Sequence, residues 1–232
     1  MLAYAADGLL GLLAGVLLLL LALSGLLLVA VDSAYPRRRP GATTGTAPSG
    51  APATVFARSR VVVVLSTLVP AALAGWAVLG CVLAAGRGQT TAAVVLGLLA
   101  AGLGTPLVAV VRGRVAAGGL YLTPAGVEHR KEGVSWSVPW ADVTGVVPGE
   151  PLALLVRARP RLRTSTRVLW QREPTGPPGT VAVDSRYLAA DSRVIAAVVA
   201  RCVAELAHRR RLGTPEGLAQ VAALGASGPS RP

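Results

Sequence analysis

The sequence predicts a protein of two parts: a membrane-embedded helical half, followed by a mainly-β domain that ends in one helix. Three uncharged apolar runs occupy residues 8–31, 61–86 and 92–111, and no run of that length follows them. After residue 118 the apolar residues instead come in short, alternating stretches separated by turns, which is typical of β-strands. The mean hydropathy of +0.58 also exceeds what a water-soluble domain of this size needs.

The first run, residues 8–31, predicts a transmembrane helix. It has 24 residues, 13 of them leucine, and a span needs about 20 apolar residues. The leucines together favour insertion by about 4–8 kcal/mol. A cleaved signal peptide would begin with positive charge, but residues 1–7 hold only Asp7. We therefore predict a first transmembrane helix with a short extracytoplasmic N-terminus over residues 1–34.

The second and third runs predict a transmembrane hairpin over residues 61–114. Each run contains one proline, Pro70 or Pro106, which membrane helices tolerate because neighbouring side chains satisfy the freed carbonyl. Only residues 87–91 separate the two runs, which leaves room for a tight turn alone. With the first helix, this gives three spans.

The segment 35–60 predicts a basic, flexible cytoplasmic linker, because it is rich in Pro, Gly, Ser and Thr. Arginines that flank apolar runs stay on the cytoplasmic side. The arginines to which we assign this topology-determining role are Arg37, Arg38, Arg39, Arg58, Arg60, Arg112 and Arg114. The opposite side has only Arg87. The prediction is a multi-pass plasma-membrane protein with its N-terminus outside and its C-terminal domain in the cytoplasm.

The C-terminal half predicts seven strands and one amphipathic helix. The strands are expected at 119–122, 126–131, 134–140, 142–147, 152–156, 168–171 and 180–183. The helix is expected to begin at a cap formed by Asp191 or Ser192, to run into the basic residues 208–211, and to stop at Gly213. Residues 213–232 predict a short helix and a disordered tail.

Three phrases in this half carry a family resemblance: GLYLTPAGVEHR, VPWADVTGV, and the helix sequence that leads into RRRLGTPEGLAQV. They resemble the pleckstrin-homology-like (PH-like) domain of actinobacterial membrane proteins. The resemblance implies a PH-like barrel of seven strands capped by a C-terminal helix over residues 115–212. It carries over no ligand residues. The alternative fold is another small β-barrel or sandwich.

Four arginines at every second residue form the candidate binding site: Arg157, Arg159, Arg161 and Arg163. On one strand they would share a face and offer four guanidinium groups to phosphates. Pro160 interrupts the pattern and predicts that Arg161 and Arg163 lie in a loop. A basic loop beside a membrane suits anionic phospholipid headgroups, at about 1 kcal/mol per residue. The alternative is a solvated patch that only reinforces topology.

Other function classes find little support in the sequence. Nucleic-acid binding would need clustered aromatic residues beside the positive charge, and the net charge of +12 is instead shared between both halves. The two cysteines and two histidines show no metal-ligand spacing. No catalytic motif is present, so we expect neither an enzyme nor a cofactor. The apolar runs carry no charge that would mark a transport path.

The sequence therefore predicts a membrane-anchored binding or scaffolding module at the inner leaflet. Its expected partners are the lipid bilayer, anionic phospholipid headgroups and an unidentified membrane or cytoplasmic protein, with no nucleic acid. One alternative is a structural subunit of a membrane protein complex without lipid recognition. A transporter or enzyme accessory is disfavoured.

Overall fold

The chain divides into a helical unit and a β unit. The computed structural model describes residues 41–111, 118–131, 134–165 and 177–226, together with six helical positions between 22 and 30. The helical unit comprises Met1–Ala34 and Arg60–Arg112, and the β unit comprises Tyr35–Ser59 and Gly113–Pro232. The segment Arg60–Arg112 of the helical unit is thus inserted within the sequence of the β unit.

Two long helices, α1 (Arg60–Gly86) and α2 (Thr90–Val111), form a hairpin in the helical unit. They approach closely where one helix has a glycine: a Cβ on Gly80 would meet Leu96 Cδ1 at 3.1 Å. Cys81 Sγ donates to the carbonyl of Ala93 at 3.1 Å, which also joins the two helices. The predicted tight turn between the second and third apolar runs is confirmed.

One helix among the described residues is long and apolar enough to cross a membrane. It is Thr67–Gly86, with 20 residues and a mean hydropathy of 2.1. Thr90–Gly104 of α2 is a shorter apolar stretch among the described residues. The run 8–31 lies outside the described residues apart from the six positions already mentioned. The three predicted spans are therefore not supported as such, since the structure offers one candidate span.

The β unit contains two antiparallel sheets. Its strands are β1 Thr43–Thr46, β2 Pro52–Ala57, β3 Gly119–Leu122, β4 Gly126–Lys131, β5 Val134–Pro139, β6 Val143–Val147, β7 Leu152–Val156, β8 Arg161–Ser165 and β9 Thr180–Val183. One sheet has the order β1-β2-β3-β4-β5-β8, and the other has the order β6-β7-β9.

The predicted linker at 35–60 is wrong for residues 43–57, which form the hairpin β1–β2. The last four residues of β2 pair with β3, from Thr54 opposite Leu122 to Ala57 opposite Gly119. The physical reason is burial: Phe56 lies in the core with no exposed surface and pairs with Leu120. In the sequence, small and polar residues surround this single large apolar side chain, so the pattern does not indicate a strand.

Six of the seven predicted strands are confirmed at their predicted bounds or within one residue, namely β3 to β7 and β9. The predicted strand at 168–171 lies outside the described residues. The loop predicted for Arg161 and Arg163 is wrong, because both residues belong to β8. Pro160 precedes the first residue of this edge strand, where its missing N–H costs the sheet no hydrogen bond.

The core of the β unit lies between the two sheets and the first C-terminal helix. Trp136 from β5, Leu154 from β7 and Ile195 from the helix are all fully buried in one cluster. Trp140, in a 3-10 turn after β5, donates from Nε1 to the carbonyl of Thr123 at 2.8 Å. The indole N–H is therefore satisfied inside the core, as buried tryptophan requires.

The C-terminal region is helical but is divided into three helices among the described residues, where one long helix and a short one were predicted. They are α3 Ser192–Ala204, α4 Leu206–Arg211 and α5 Pro215–Ala226. The predicted cap is confirmed, since the Asp191 carboxylate accepts the N–H of Arg193 at 2.9 Å. Glu205 is extended and ends α3 before the basic residues. Arg209 then folds back and donates to the carbonyls of Cys202 and Val203.

A left-handed glycine separates α4 from α5, as predicted. Gly213 has φ +80°, and a Cβ there would lie 2.7 Å from the backbone nitrogen of Ala53. Its N–H donates to Thr54 Oγ1 at 3.0 Å. The turn before the last helix therefore packs directly on β2. Residues 227–232 of the predicted disordered tail lie outside the described residues.

Candidate functional site

The six-stranded sheet has one end that connects to the helical unit, which we call the junction end. At this end Ala57 of β2 pairs with Gly119 of β3, and the N–H of Arg58 donates to the carbonyl of Gly118 at 3.1 Å. The chain leaves for α1 two residues after β2, and β3 is the first strand after α2 in the sequence. The last residues of β4 lie at the same end, because Arg130 pairs with Gly119.

Three of the four predicted site arginines have described side chains, and all three are exposed. Arg157 and Arg159 lie in the connection between β7 and β8, and Arg161 begins β8. The side chain of Arg163, also in β8, lies outside the described residues. Within the described residues no ion pair joins Arg157, Arg159 or Arg161 to a carboxylate.

Arg157 and Arg161 lie toward the end of the sheet opposite the junction end. Arg161 pairs near the middle of β5. Arg157 donates its N–H to the carbonyl of Asp142 at 2.8 Å, in the 3-10 turn that follows the far end of β5. Trp140 in the same turn donates its N–H to Ala125, in the turn between β3 and β4. The predicted site therefore does not coincide with the place where the chain meets the helical unit.

A cluster of charged residues occupies the junction end instead. Asp184, just after β9, lies 3.0 Å from Lys131 Nζ and 3.5 Å from Arg58 Nη2. The guanidinium of Arg58 also lies over the ring of Tyr187 at 5.8 Å. The carboxylate thus ties together the ends of β2, β4 and β9, which come from distant parts of the chain.

The electrostatics of this cluster favour the charged carboxylate. Burial acts to raise the pKa of Asp184, but the positive charges of Lys131 and Arg58 outweigh it and lower the pKa from 3.8. The side chain of Arg58 is only 9% exposed, so its contact with Asp184 is poorly screened by solvent. The cluster is a structural clamp as well as a charged surface.

His129 lies beside the clamp on the core side of β4. It is buried, and its ring centroid lies 5.1 Å from that of Trp136. Burial, assisted by the charges of Lys131 and Arg58, lowers the pKa of His129 to about 3. A histidine with this pKa is uncharged at neutral pH. Its pKa lies far below the range that general acid–base catalysis at neutral pH needs.

The turn between β6 and β7 brings apolar surface to the same end. Val147 is 50% exposed, and Pro148 after it is exposed as well. Glu150 of this turn lies 3.9 Å from Arg186, two residues beyond Asp184. An exposed apolar tip and a half-exposed arginine therefore lie next to the clamp.

Two of the predicted topology arginines have described positions. Arg60 is the first residue of α1, and Arg58 is built into the clamp rather than only flanking a helix. The remaining members of that set lie outside the described residues: Arg37, Arg38, Arg39, Arg112 and Arg114.

Elsewhere in the described part of the chain, metal-ligating residues do not cluster, and the cavity beside α5 is small. No group of three His, Cys, Asp or Glu residues among them could hold a metal. A cavity between α3 and α5, lined by Cys202 and Val221, measures about 20 Å³, which is room for about one water. Burial raises the pKa of the Cys202 thiol to about 11, so it is unreactive at neutral pH.

No family model, curated protein or solved structure matches this chain. The resemblance to PH-like domains therefore stays a prediction. Sequence reasoning missed the clamp, because its three members are separated by 53 residues or more and share no motif. The only signal in the sequence was that Lys131 is the single lysine of the chain.

Proposed function

We propose that this chain is a membrane-anchored scaffold whose β unit is a cytoplasmic, PH-like binding module. The hairpin α1–α2 would anchor it in the plasma membrane, and the apolar run 8–31 would add a span that leaves the N-terminus outside. The module would recruit a protein partner or contact anionic lipid at the inner leaflet.

The pairing of β2 with β3 supports the anchoring more than any other observation. These strands flank the helical unit in sequence, and they pair at four successive positions. Paired strands must lie in one aqueous compartment, so a helical unit between them has to return to the side from which it left. Two helices joined by a tight turn meet that requirement.

The length of the hairpin is consistent with this anchoring. Helix α2 has 22 residues without a charged side chain, and such a helix extends for about 33 Å. The arginines near 37–39, 58–60 and 112–114 favour the cytoplasmic side for both ends of the hairpin.

The PH-like assignment rests on the order of the elements. Seven strands between residues 119 and 183 are followed by α3, which packs over the core of both sheets. Arg157, Arg159 and Arg161 are exposed, and no carboxylate in the described part of the chain forms an ion pair with them. They would serve recruitment of an acidic protein segment, since they lie away from the junction end.

Topology mapping with single cysteines tests the anchoring. Cys81 and Cys202 are first replaced by alanine, and a cysteine is then placed at Gln89, Pro48 or Ala141, all exposed. In intact cells a membrane-impermeant maleimide should label only Gln89→Cys, at the hairpin tip. Pro48→Cys and Ala141→Cys should react only after the cells are permeabilised. Labelling of Pro48→Cys and Ala141→Cys from opposite sides would contradict the proposal.

Capture from native membranes separates the scaffold from its alternatives. A stoichiometric protein that is lost when Arg157, Arg159 and Arg161 are changed together to Gln would identify a recruited partner. A partner that survives this change would favour a structural subunit held through other surfaces. The matched control is Arg210→Gln, which removes an exposed arginine from α4.

A further inference from the structure

The junction end of the β unit is tied to the helical unit by very little chain. Arg58 and Ser59 alone separate β2 from α1. Three residue steps from Ala57 to Arg60 span at most about 11 Å. A membrane surface that α1 enters at Arg60 therefore lies within about 11 Å of Ala57 at the junction end.

The surface at this end combines apolar and basic side chains. Among the described residues of the β unit, Val147 and Leu206 are the large hydrophobic side chains with at least half of their surface exposed. Val147 belongs to the junction end, because the turn after it is hydrogen-bonded to the residue that follows Asp184 of the clamp. Ser185 Oγ donates to the carbonyl of Gly149 at 2.9 Å. Arg186, in the same segment, exposes 53% of its side chain.

We propose that the β6–β7 turn and Arg186 form a membrane-contact surface of the β unit. Val147 and Pro148 would lie at the headgroup boundary, and Arg186, with Arg130 at the end of β4, would bind the phosphates of anionic lipids. This inference rests on the proposed anchoring. It replaces Arg157, Arg159 and Arg161 as the lipid contact, because the register of the sheets and the hydrogen bond of Arg157 to Asp142 put Arg157 and Arg161 toward the other end.

The chemistry of the surface fits a bilayer boundary. Small apolar side chains at the tip of a turn enter the interfacial region without breaking backbone hydrogen bonds. Each arginine beside them raises the affinity of the protein for an anionic membrane surface roughly fivefold. The contact between Glu150 and Arg186 measures 3.9 Å and both side chains are about half exposed, so a lipid phosphate can reach Arg186 and compete with the carboxylate.

Lipid quenching in the full-length protein tests this surface. In the background with Cys81 and Cys202 replaced by alanine, an environment-sensitive NBD label is attached to Val147→Cys or to Ala141→Cys. The protein is placed in nanodiscs of phosphatidylcholine with one quarter phosphatidylglycerol, with or without brominated acyl chains. The label at 147 should emit at shorter wavelength and be quenched severalfold by bromine, whereas the matched label at 141 should not.

A second pair of variants addresses the basic residues. Changing Arg130 and Arg186 together to Gln should reduce the quenching at 147 to the level found in nanodiscs without phosphatidylglycerol. The control pair, Arg157→Gln with Arg159→Gln, should leave the quenching unchanged. Tryptophan emission from the buried core reports that each variant is folded.

The outcomes separate this inference from the anchoring proposal. If Gln89→Cys is labelled from outside while position 147 is no more quenched than 141, the anchoring stands and the contact surface is refuted. Equal quenching at both positions would also refute it, because the β unit would then lie on its side. If the hairpin tip is not accessible from outside, both proposals fail.

Discussion

Phe56 offers a direct test of whether residues 35–60 belong to the β unit. Its side chain has no exposed surface, and it packs in the main core opposite Leu120. Truncation of a fully buried phenylalanine to alanine costs about 3–5 kcal/mol. Since 1.4 kcal/mol is tenfold in an equilibrium constant, Phe56→Ala should raise the unfolded fraction of the β unit by roughly 150- to 4,000-fold.

The buried thiol of Cys202 supplies the assay. It is 1% exposed and lies in the same core cluster as Phe56. With Cys81 replaced by alanine, the rate at which a maleimide labels Cys202 in increasing urea reports the opening of the β unit. When reclosing is faster than labelling, this rate follows the equilibrium. The control is Thr44→Ala in exposed β1, which should change the free energy by less than about 0.5 kcal/mol.

A small effect would refute the reasoning. If Phe56→Ala accelerates labelling less than tenfold, β2 does not contribute its buried surface to the sheet. The segment would then behave as the flexible linker that its composition suggests, and strand pairing would no longer require the hairpin to return to the side from which it left.

Three further predictions concern the clamp, the helix end and the insertion. Asp184→Asn should destabilise the β unit at neutral pH. Because the pKa of Asp184 is lowered in the folded state, its contribution to the free energy of unfolding is fully present above pH 3.8 and should fade as the pH falls through the lowered pKa. Urea titrations of the original protein and the variant between pH 7 and 3 would show this loss. Arg209→Gln should cost about 1–3 kcal/mol, because two carbonyls at the end of α3 lose their donor, whereas Arg210→Gln on the exposed side should cost under about 0.5 kcal/mol in the same thiol assay. Replacing residues 60–117 by a short Gly/Ser turn should yield a water-soluble β unit with a protected thiol, since β2 and β3 are already paired there. Fragment 115–232, which lacks β2, should leave the thiol reactive, and a protected thiol in that fragment would contradict the role given to β2.

Most of the strands that could be predicted from the sequence have neighbours in space that are also neighbours in sequence; β9, which pairs with β7, is the exception. Val134, Trp136 and Val138 alternate with polar residues, and their partner β4 lies just before them across a turn. Local alternation and turn residues determine such pairs. The same holds for β6 with β7, which are joined by a four-residue turn.

The hairpin β1–β2 could not be predicted in this way. Its partner β3 follows after 61 residues, most of them in two apolar helices. The sequence TTGT of β1 has no large apolar residue, and β2 has only Val55 and Phe56. What makes β2 a strand is the exposed edge of β3 and the space in the core that Phe56 fills, and both are tertiary properties.

The candidate site was missed for a related reason. A run of four alternating arginines stands out in the sequence, but its place relative to the junction depends on the register of β5 with β8 and of β6 with β7. The clamp of Arg58, Lys131 and Asp184 exists only once β2, β4 and β9 are assembled. Charge spacing along the chain indicates neither arrangement.

Under the proposed anchoring, the insertion of Arg60–Arg112 makes the fold and the membrane topology depend on each other. If the hairpin α1–α2 crossed a bilayer an odd number of times, β2 and β3 would lie in different compartments. Strand β3 would then present an open edge, and the fully buried Leu120 and Leu122 would lose their neighbours Phe56 and Thr54. An intact β unit and an even number of crossings between residues 60 and 112 are therefore a single requirement. Any charge change at the hairpin tip that inverts one helix should be detected first as exposure of the β-unit core.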